Sequence, residues 1–104
     1  MIVKFENEYL EKLFTGDPVK GKPKFNDEVI KKFKKTILIL KNAESSIELS
    51  KFRGLNFEAL KGSKKGLFSV RVDYGYRLEF KLENDLIELT EIVIIEELSN
   101  HYKK

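Results

Sequence analysis

With 104 residues, 41 % of them hydrophobic and 36 % charged, the chain is one domain's worth of sequence and reads as globular rather than disordered or membrane-spanning. Folding at this length buries roughly 60 to 70 % of the unfolded chain's surface, enough for a single core over residues 1–104. Zero cysteines exclude disulfide frameworks and thiolate metal sites, and 20 Lys and Arg against 17 Asp and Glu leave a net charge of +3 whose placement matters more than its size.

The N-terminus, MIVKFENEYL, has no apolar stretch behind a basic start, so no secretory signal, no membrane partner and a cytoplasmic location are expected. Ile2 to Phe5 is a short β-prone segment. Asn7 can cap a short helix that buries Tyr9, Leu10, Leu13 and Phe14 before Gly16 ends it. Both prolines and a glycine mark Asp17 to Phe25 as a loop. Asn26 then caps the longest helix, with Asp27 and Glu28 in the first turn where carboxylates suit the macrodipole. Val29, Ile30, Phe33, Ile37 and Leu40 form its apolar stripe, and Lys31, Lys32, Lys34, Lys35 and Lys41 lie largely off it. Ser45 to Glu48 has capping-box spacing, and Gly54 is placed to stop a further helix ending near Phe52.

From Leu55 the period changes to two. Leu55, Phe57 and Ala59 alternate with Asn56 and Glu58; Phe68, Val70 and Val72 with Ser69 and Arg71; Tyr76, Leu78, Phe80 and Leu82 with Arg77, Glu79 and Lys81. Directly opposed residues share a face. A three-residue loop of Asp73, Tyr74 and a left-handed Gly75 pairs Val72 with Tyr76, Val70 with Leu78 and Phe68 with Phe80, and sets Arg71 opposite Arg77 on the other face. A last hairpin closed by Asn84 and Asp85 would put Ile87, Leu89, Val93 and Ile95 in the core and Lys81 opposite Glu88, with Glu91 a misfit. Ile92 to Ile95 is apolar on both faces, so the chain's tail or a partner should cover the second one there. Helices first and an antiparallel meander after define an α+β domain.

Two opposed arginines repel by roughly 0.2 to 1 kcal/mol when exposed, and a phosphate between them would reverse the sign. Neutralisation by Glu79 and Asp73 is the bland alternative. The stretch KGSKKG, Lys61 to Gly66, fails the Walker pattern, but it joins the Glu58 strand to the Arg71 strand, so Lys61 starts at the edge of the arginine face and the lysines of the turn, chiefly Lys61, could hold an RNA backbone. His101 is the only histidine and the side chain best suited to proton exchange near neutral pH, and Tyr102 beside it could stack on a base. One histidine and no clustered carboxylates give no metal site, and no cofactor is expected.

The string GLNFEALKGSKKGLFSVRVDYGYRLEF, Gly54 to Phe80, resembles the HigB group of the RelE/ParE superfamily of bacterial toxins, in its Leu60-Lys61-Gly62, in Gly66 with Ser69-Val70-Arg71-Val72, and in Tyr76, Arg77, Leu78 and Phe80. The order of elements agrees over nearly the whole chain. The resemblance implies a RelE-like fold, with the N-terminal strand and helices packed on one face of an antiparallel sheet of four to five strands. It also implies the toxin of a type II toxin–antitoxin pair, an endoribonuclease that cuts mRNA in the ribosomal A site without a metal. Its partners would be mRNA on the ribosome, with contacts to 16S rRNA, and a HigA-like helix-turn-helix antitoxin. Arg77 matches the phosphate-stabilising arginine, Lys61 lies in the matching LKG, and His101 sits in a C-terminal Asn-His-Tyr like the group's histidine-containing end. Many members carry a histidine where Glu58 stands, so Glu58 and His101 are both candidates for the general base. Arg71, Lys64, Lys65 and Tyr102 would bind RNA. A noncatalytic basic module that blocks translation by occupancy, or a domain that pairs its arginines with an acidic protein, would use the same residues.

Overall fold

The computed structural model describes residues 1–100. Strand β1 (Ile2–Phe5) is followed by helices α1 (Glu8–Thr15), α2 (Asp27–Asn42) and α3 (Ser46–Leu49), and then by β2 (Glu58–Ala59), β3 (Phe68–Asp73), β4 (Tyr76–Asp85) and β5 (Thr90–Ser99). One sheet results, in the order β1-β5-β4-β3-β2. Its last four strands pair antiparallel as expected, but β1 pairs with β5 in parallel, so the sheet is mixed and not wholly antiparallel. A parallel neighbour needs a long crossover. Everything between Phe5 and Thr90 serves as that connection.

The capping signals at the first two helices work as read: the Asn7 side chain accepts from the Leu10 N–H at 3.1 Å, and that of Asn26 from the Val29 N–H at 2.9 Å. Val29, Phe33, Ile37 and Leu40 of α2 are buried against Val70, Leu78, Phe80, Val93 and Ile95, so the helices cover one face of the sheet. The third helix is shorter than expected. It ends at Leu49, Gly54 lies in a 3-10 turn at Arg53–Leu55 rather than in a left-handed stop, and Ser45 makes no side-chain cap. Ser46 is instead held by Glu91, whose carboxylate accepts from its N–H at 2.6 Å and its hydroxyl at 2.7 Å. That long-range cap explains the one carboxylate that misfits its strand.

The β3–β4 pairing keeps Phe68 opposite Phe80, Val70 opposite Leu78 and Arg71 opposite Arg77. Past Arg71 the register shifts: Asp73, not Val72, faces Tyr76, and Gly75 is left-handed at φ 75°. An irregularity inside the strand thus replaces one residue of the expected loop. Only Glu58 and Ala59 of the expected second strand are extended, because Asn56 turns left-handed at φ 45° behind the 3-10 turn. Phe57 still reaches the core and stacks 5.6 Å from Phe68 and 6.2 Å from Phe80.

The last hairpin differs most. Strand β4 runs through Asn84 to Asp85, whose carboxylate accepts from the N–H groups of Ile87 at 2.9 Å and Glu88 at 3.0 Å and so shapes a four-residue turn over 86–89. Ile87 and Leu89 are therefore not core residues; with Leu86 they stand at least 83 % exposed on the tip. Lys81 faces Ile94 instead of Glu88 and lies 3.8 Å from the Glu96 carboxylate. Val93 and Ile95 are buried as expected. A register shift opposite Glu79 and Phe80 lets Ile95 and Leu98, three residues apart, both face the core. On the other face Ile92 is buried beside Ile2 and Glu83, and Ile94 is half-buried beside Lys4. Among the described residues no helix is long and apolar enough to cross a membrane.

Candidate nucleic-acid interface

Strand alternation sends Arg71, Arg77, Ser69, Glu79 and Ser99 to the face that the helices leave open, and the pairings Glu58 to Ser69, Ser69 to Glu79 and Arg77 to Ser99 lay them side by side. Arg77 is the centre of this group. It is 9 % exposed; its Nε donates to Ser69 Oγ at 2.8 Å, and its Nη2 donates to the Ser69 carbonyl at 3.3 Å and to the Asn56 carbonyl. The left-handed turn at Asn56 therefore has a use, since it brings a main-chain acceptor to the arginine. Glu58 Oε1 lies 3.7 Å from Nη2. A guanidinium bonded from these sides offers a fixed positive charge, because its position is set by the fold rather than by a rotamer search.

Glu79 lies on the same face as the two arginines. It is 1 % exposed, and both its oxygens accept from Lys64 Nζ at 2.9 Å. A carboxylate is tolerated at that depth when it is paired and hydrogen-bonded. Lys64 is delivered by the turn at Gly62–Lys64, which both left-handed glycines, Gly62 at φ 66° and Gly66 at φ 99°, make possible. Lys61 and Lys65 flank that turn and are exposed. Asp73 turns away to Lys32 of α2, which it meets at 3.0 Å. The Tyr74 N–H first, and Lys32 second, hold its carboxyl below the ordinary range, with a smaller contribution from Arg71; the bond to Asp73 raises Lys32 in turn.

Of the residues singled out in the sequence, the fold sets Glu58 beside Arg77 and Lys64 against Glu79 on the same face, with Arg71 directly across from Arg77. Lys61 and Lys65 stand at its rim without a side-chain partner among the described residues. His101 and Tyr102 lie outside the described residues. Ser69, Asn56 and Ser99 are participants that side-chain chemistry did not suggest. For Ser69 the signal was available: a small hydroxyl alternating onto the arginine face is where a long side chain can lie down. Asn56 acts through its carbonyl, which side-chain identity does not reveal. Among the described residues no cluster of His, Cys, Asp and Glu could hold a metal ion.

The chain is similar over 95 % of its length to a solved structure, the YoeB/ParE toxin from Agrobacterium tumefaciens, covering 96 % of that chain with a TM-score of 0.57 and 16 % identity. That likeness shows the fold. No curated protein matches the chain significantly. Residues 3–92 match the family described as the RelE-like toxin of the type II toxin–antitoxin system HigB. The mixed sheet, its open arginine face and this match over most of the sequence have one reading: the chain belongs to the HigB-like, RelE-type toxins of type II toxin–antitoxin systems.

Proposed function

We propose that this toxin is a ribosome-dependent endoribonuclease that cuts mRNA in the A site and thereby stops translation. The observation that supports it best is that the Glu58 carboxylate lies 3.7 Å from the Arg77 guanidinium on a lysine-rimmed face that the helices do not cover. A base beside a fixed cation is the pair that 2′-hydroxyl transesterification needs. Glu58, more than half exposed, takes the proton of a 2′-hydroxyl; the resulting oxygen attacks the adjacent phosphorus and the bond to the 5′-oxygen breaks, leaving a 2′,3′-cyclic phosphate. His101 returns a proton to the departing 5′-oxygen. Arg77 and Arg71 balance the extra charge on the crowded phosphate, and Lys61 and Lys65 hold the neighbouring backbone. Side chains supply every proton transfer in this scheme.

In the cell such an activity demands restraint. Membership of a toxin–antitoxin family implies an antitoxin partner, and we assign that part to a helix-turn-helix protein of the HigA kind. Brief induction of the toxin alone, followed by sequencing of transcript 5′ ends, tests the function: cuts should fall at a fixed position within translated codons. Growth arrest with intact transcripts would instead mean a toxin that blocks the ribosome by occupancy.

A further inference from the structure

A groove of about 450 Å³ runs beside the arginine face, along the part of β3 that β2 leaves uncovered, between α2 and the turn at Arg53–Leu55. Lys32, Lys35, Arg53 and Arg71 line it against one carboxylate, Asp73. Four cations less one anion leave +3, as much as the whole chain carries. The carboxylate is already engaged by Lys32 at 3.0 Å and by the Tyr74 N–H at 2.8 Å. Lys35, Arg53 and Arg71 make no ion pair or side-chain hydrogen bond among the described residues. Of these cations the function so far uses only Arg71.

The rest of the lining is apolar. Ile39, Leu55 and Val72 contribute aliphatic surface, and Phe52, 41 % exposed, adds its aromatic ring. A ligand that satisfies both halves joins a flat apolar ring to closely spaced negative charge. An acidic peptide would meet the cations and leave the ring unused, whereas a nucleotide meets both, with guanidinium forks on phosphate and a base on the phenyl face. Arg71 belongs to both places, since it lines the groove and stands opposite Arg77.

We infer that the groove is a second RNA subsite, which takes one nucleotide of single-stranded RNA continuous with the strand lying across Arg77. Its base stacks on Phe52 and its flanking phosphates sit on Lys35, Arg53 and Arg71. The inference rests on the reading of the Arg77 face as the RNA face. It adds a subsite that adjoins the cutting site through Arg71, and Lys35, Arg53 and Phe52 there contribute to grip rather than turnover.

The test is fluorescence anisotropy of a short fluorescein-labelled oligouridylate with the purified full chain, over a series of KCl concentrations and without ribosomes. Arg53→Ala should weaken binding and reduce the slope of log affinity against log salt by roughly 0.7, the value for one phosphate contact on a single strand. Phe52→Ala should weaken binding about 5-fold or more while leaving the slope as in the wild type, because stacking releases no counterion. Should Phe52→Ala lower the melting temperature enough to leave unfolded protein, Phe52→Leu removes the ring and keeps the bulk. Wild-type affinity and slope in Arg53→Ala and in the Phe52 variant would overturn the inference. So would Arg53-dependent binding of a labelled oligoglutamate with RNA affinity unchanged in both variants, which marks an acidic protein as the occupant. The assay involves no cutting, so its failure leaves the Arg77 chemistry standing, and failure of Arg77 in cleavage leaves this result readable.

Discussion

Replacing Arg77 by alanine removes a charge together with the bonds it makes among the described residues, and the structure separates the two effects. The guanidinium ties β4 to Ser69 of β3 and to the Asn56 carbonyl ahead of β2. Hydrogen bonds to charged groups contribute roughly 1.5 to 3 kcal/mol each, but alanine also removes the cost of keeping a guanidinium charge buried, so the net loss should be about 2 to 4 kcal/mol in total. A domain of this size has a stability of about 5 to 15 kcal/mol, so most Arg77→Ala molecules remain folded. The alanine variant is therefore a test of chemistry with a measurable structural cost, not a silent substitution as the strand alternation alone would suggest. The catalytic loss should be on the order of 100-fold to 1000-fold, that of one transition-state donor. Arg77→Lys should fall between, since it keeps the charge but has no fork to bridge Ser69 and Asn56. The assay is single-turnover cutting of a ribosome-bound message at saturating toxin, run beside urea unfolding of the same preparations. A lowered unfolding midpoint with an unchanged cutting rate would show that Arg77 only braces the sheet.

Three further outcomes follow from the same geometry. His101→Ala should lose most cutting and keep ribosome binding in co-sedimentation; an unchanged single-turnover rate would remove it as the proton donor. Lys64→Met should destabilise the fold by about 1 to 3 kcal/mol in urea unfolding, since it takes from the buried Glu79 the ammonium that bonds both its oxygens, and adding Glu79→Gln should recover part of that loss; strictly additive losses would contradict the coupling. For Asp73 and Lys32, the lowered carboxyl adds stability that is present above its ordinary value of 3.8 and disappears as pH falls through its depressed folded value. The raised ammonium adds stability that is present below 10.5 and disappears as pH rises through its raised folded value. Asp73→Asn should therefore narrow its melting-temperature deficit at both extremes of pH, and a deficit constant from pH 3 to 11 would speak against the pair.

What could be read from the sequence was what periodicity and pairing decide together. Two strands with clean alternation and a short connection fix their own register, so the opposition of Arg71 and Arg77 followed from residues 68–80 alone. The caps at Asn7 and Asn26 were equally legible, because an N-cap bond spans only three residues. What escaped were effects with distant causes. Strand β1 is parallel to β5 through a partner some ninety residues away, and Glu91 looked misplaced until α3 was in position to be capped by it. The tip at 86–89 failed for another reason: Leu86, Ile87 and Leu89 carry the apolar pattern of a strand, yet the Asp85 carboxylate captures two N–H groups and turns the chain first. At the site, the bonds that fix Arg77 run partly to main-chain carbonyls, which have no signature in residue identity.

The opposition of two arginines across a hairpin is an energetic problem, and the partners of each side chain bear on it. Arg77 is drawn toward Ser69, the Asn56 carbonyl and the Glu58 carboxylate, which together satisfy a buried charge. Arg71 stays exposed and lines the groove beside α2, where the charge of Asp73 reaches it. Each guanidinium thus has its own counter-environment, and the repulsion that an exposed pair would suffer is divided between two sites. On the proposed function, that division suits two different tasks. The buried arginine can stabilise charge only where the fold has placed it, while the exposed one is free to adapt to a phosphate beside it. Reversing the assignment would fail on physical grounds: a mobile guanidinium pays reorganisation at the moment of reaction, and a fixed one cannot adapt to successive phosphates.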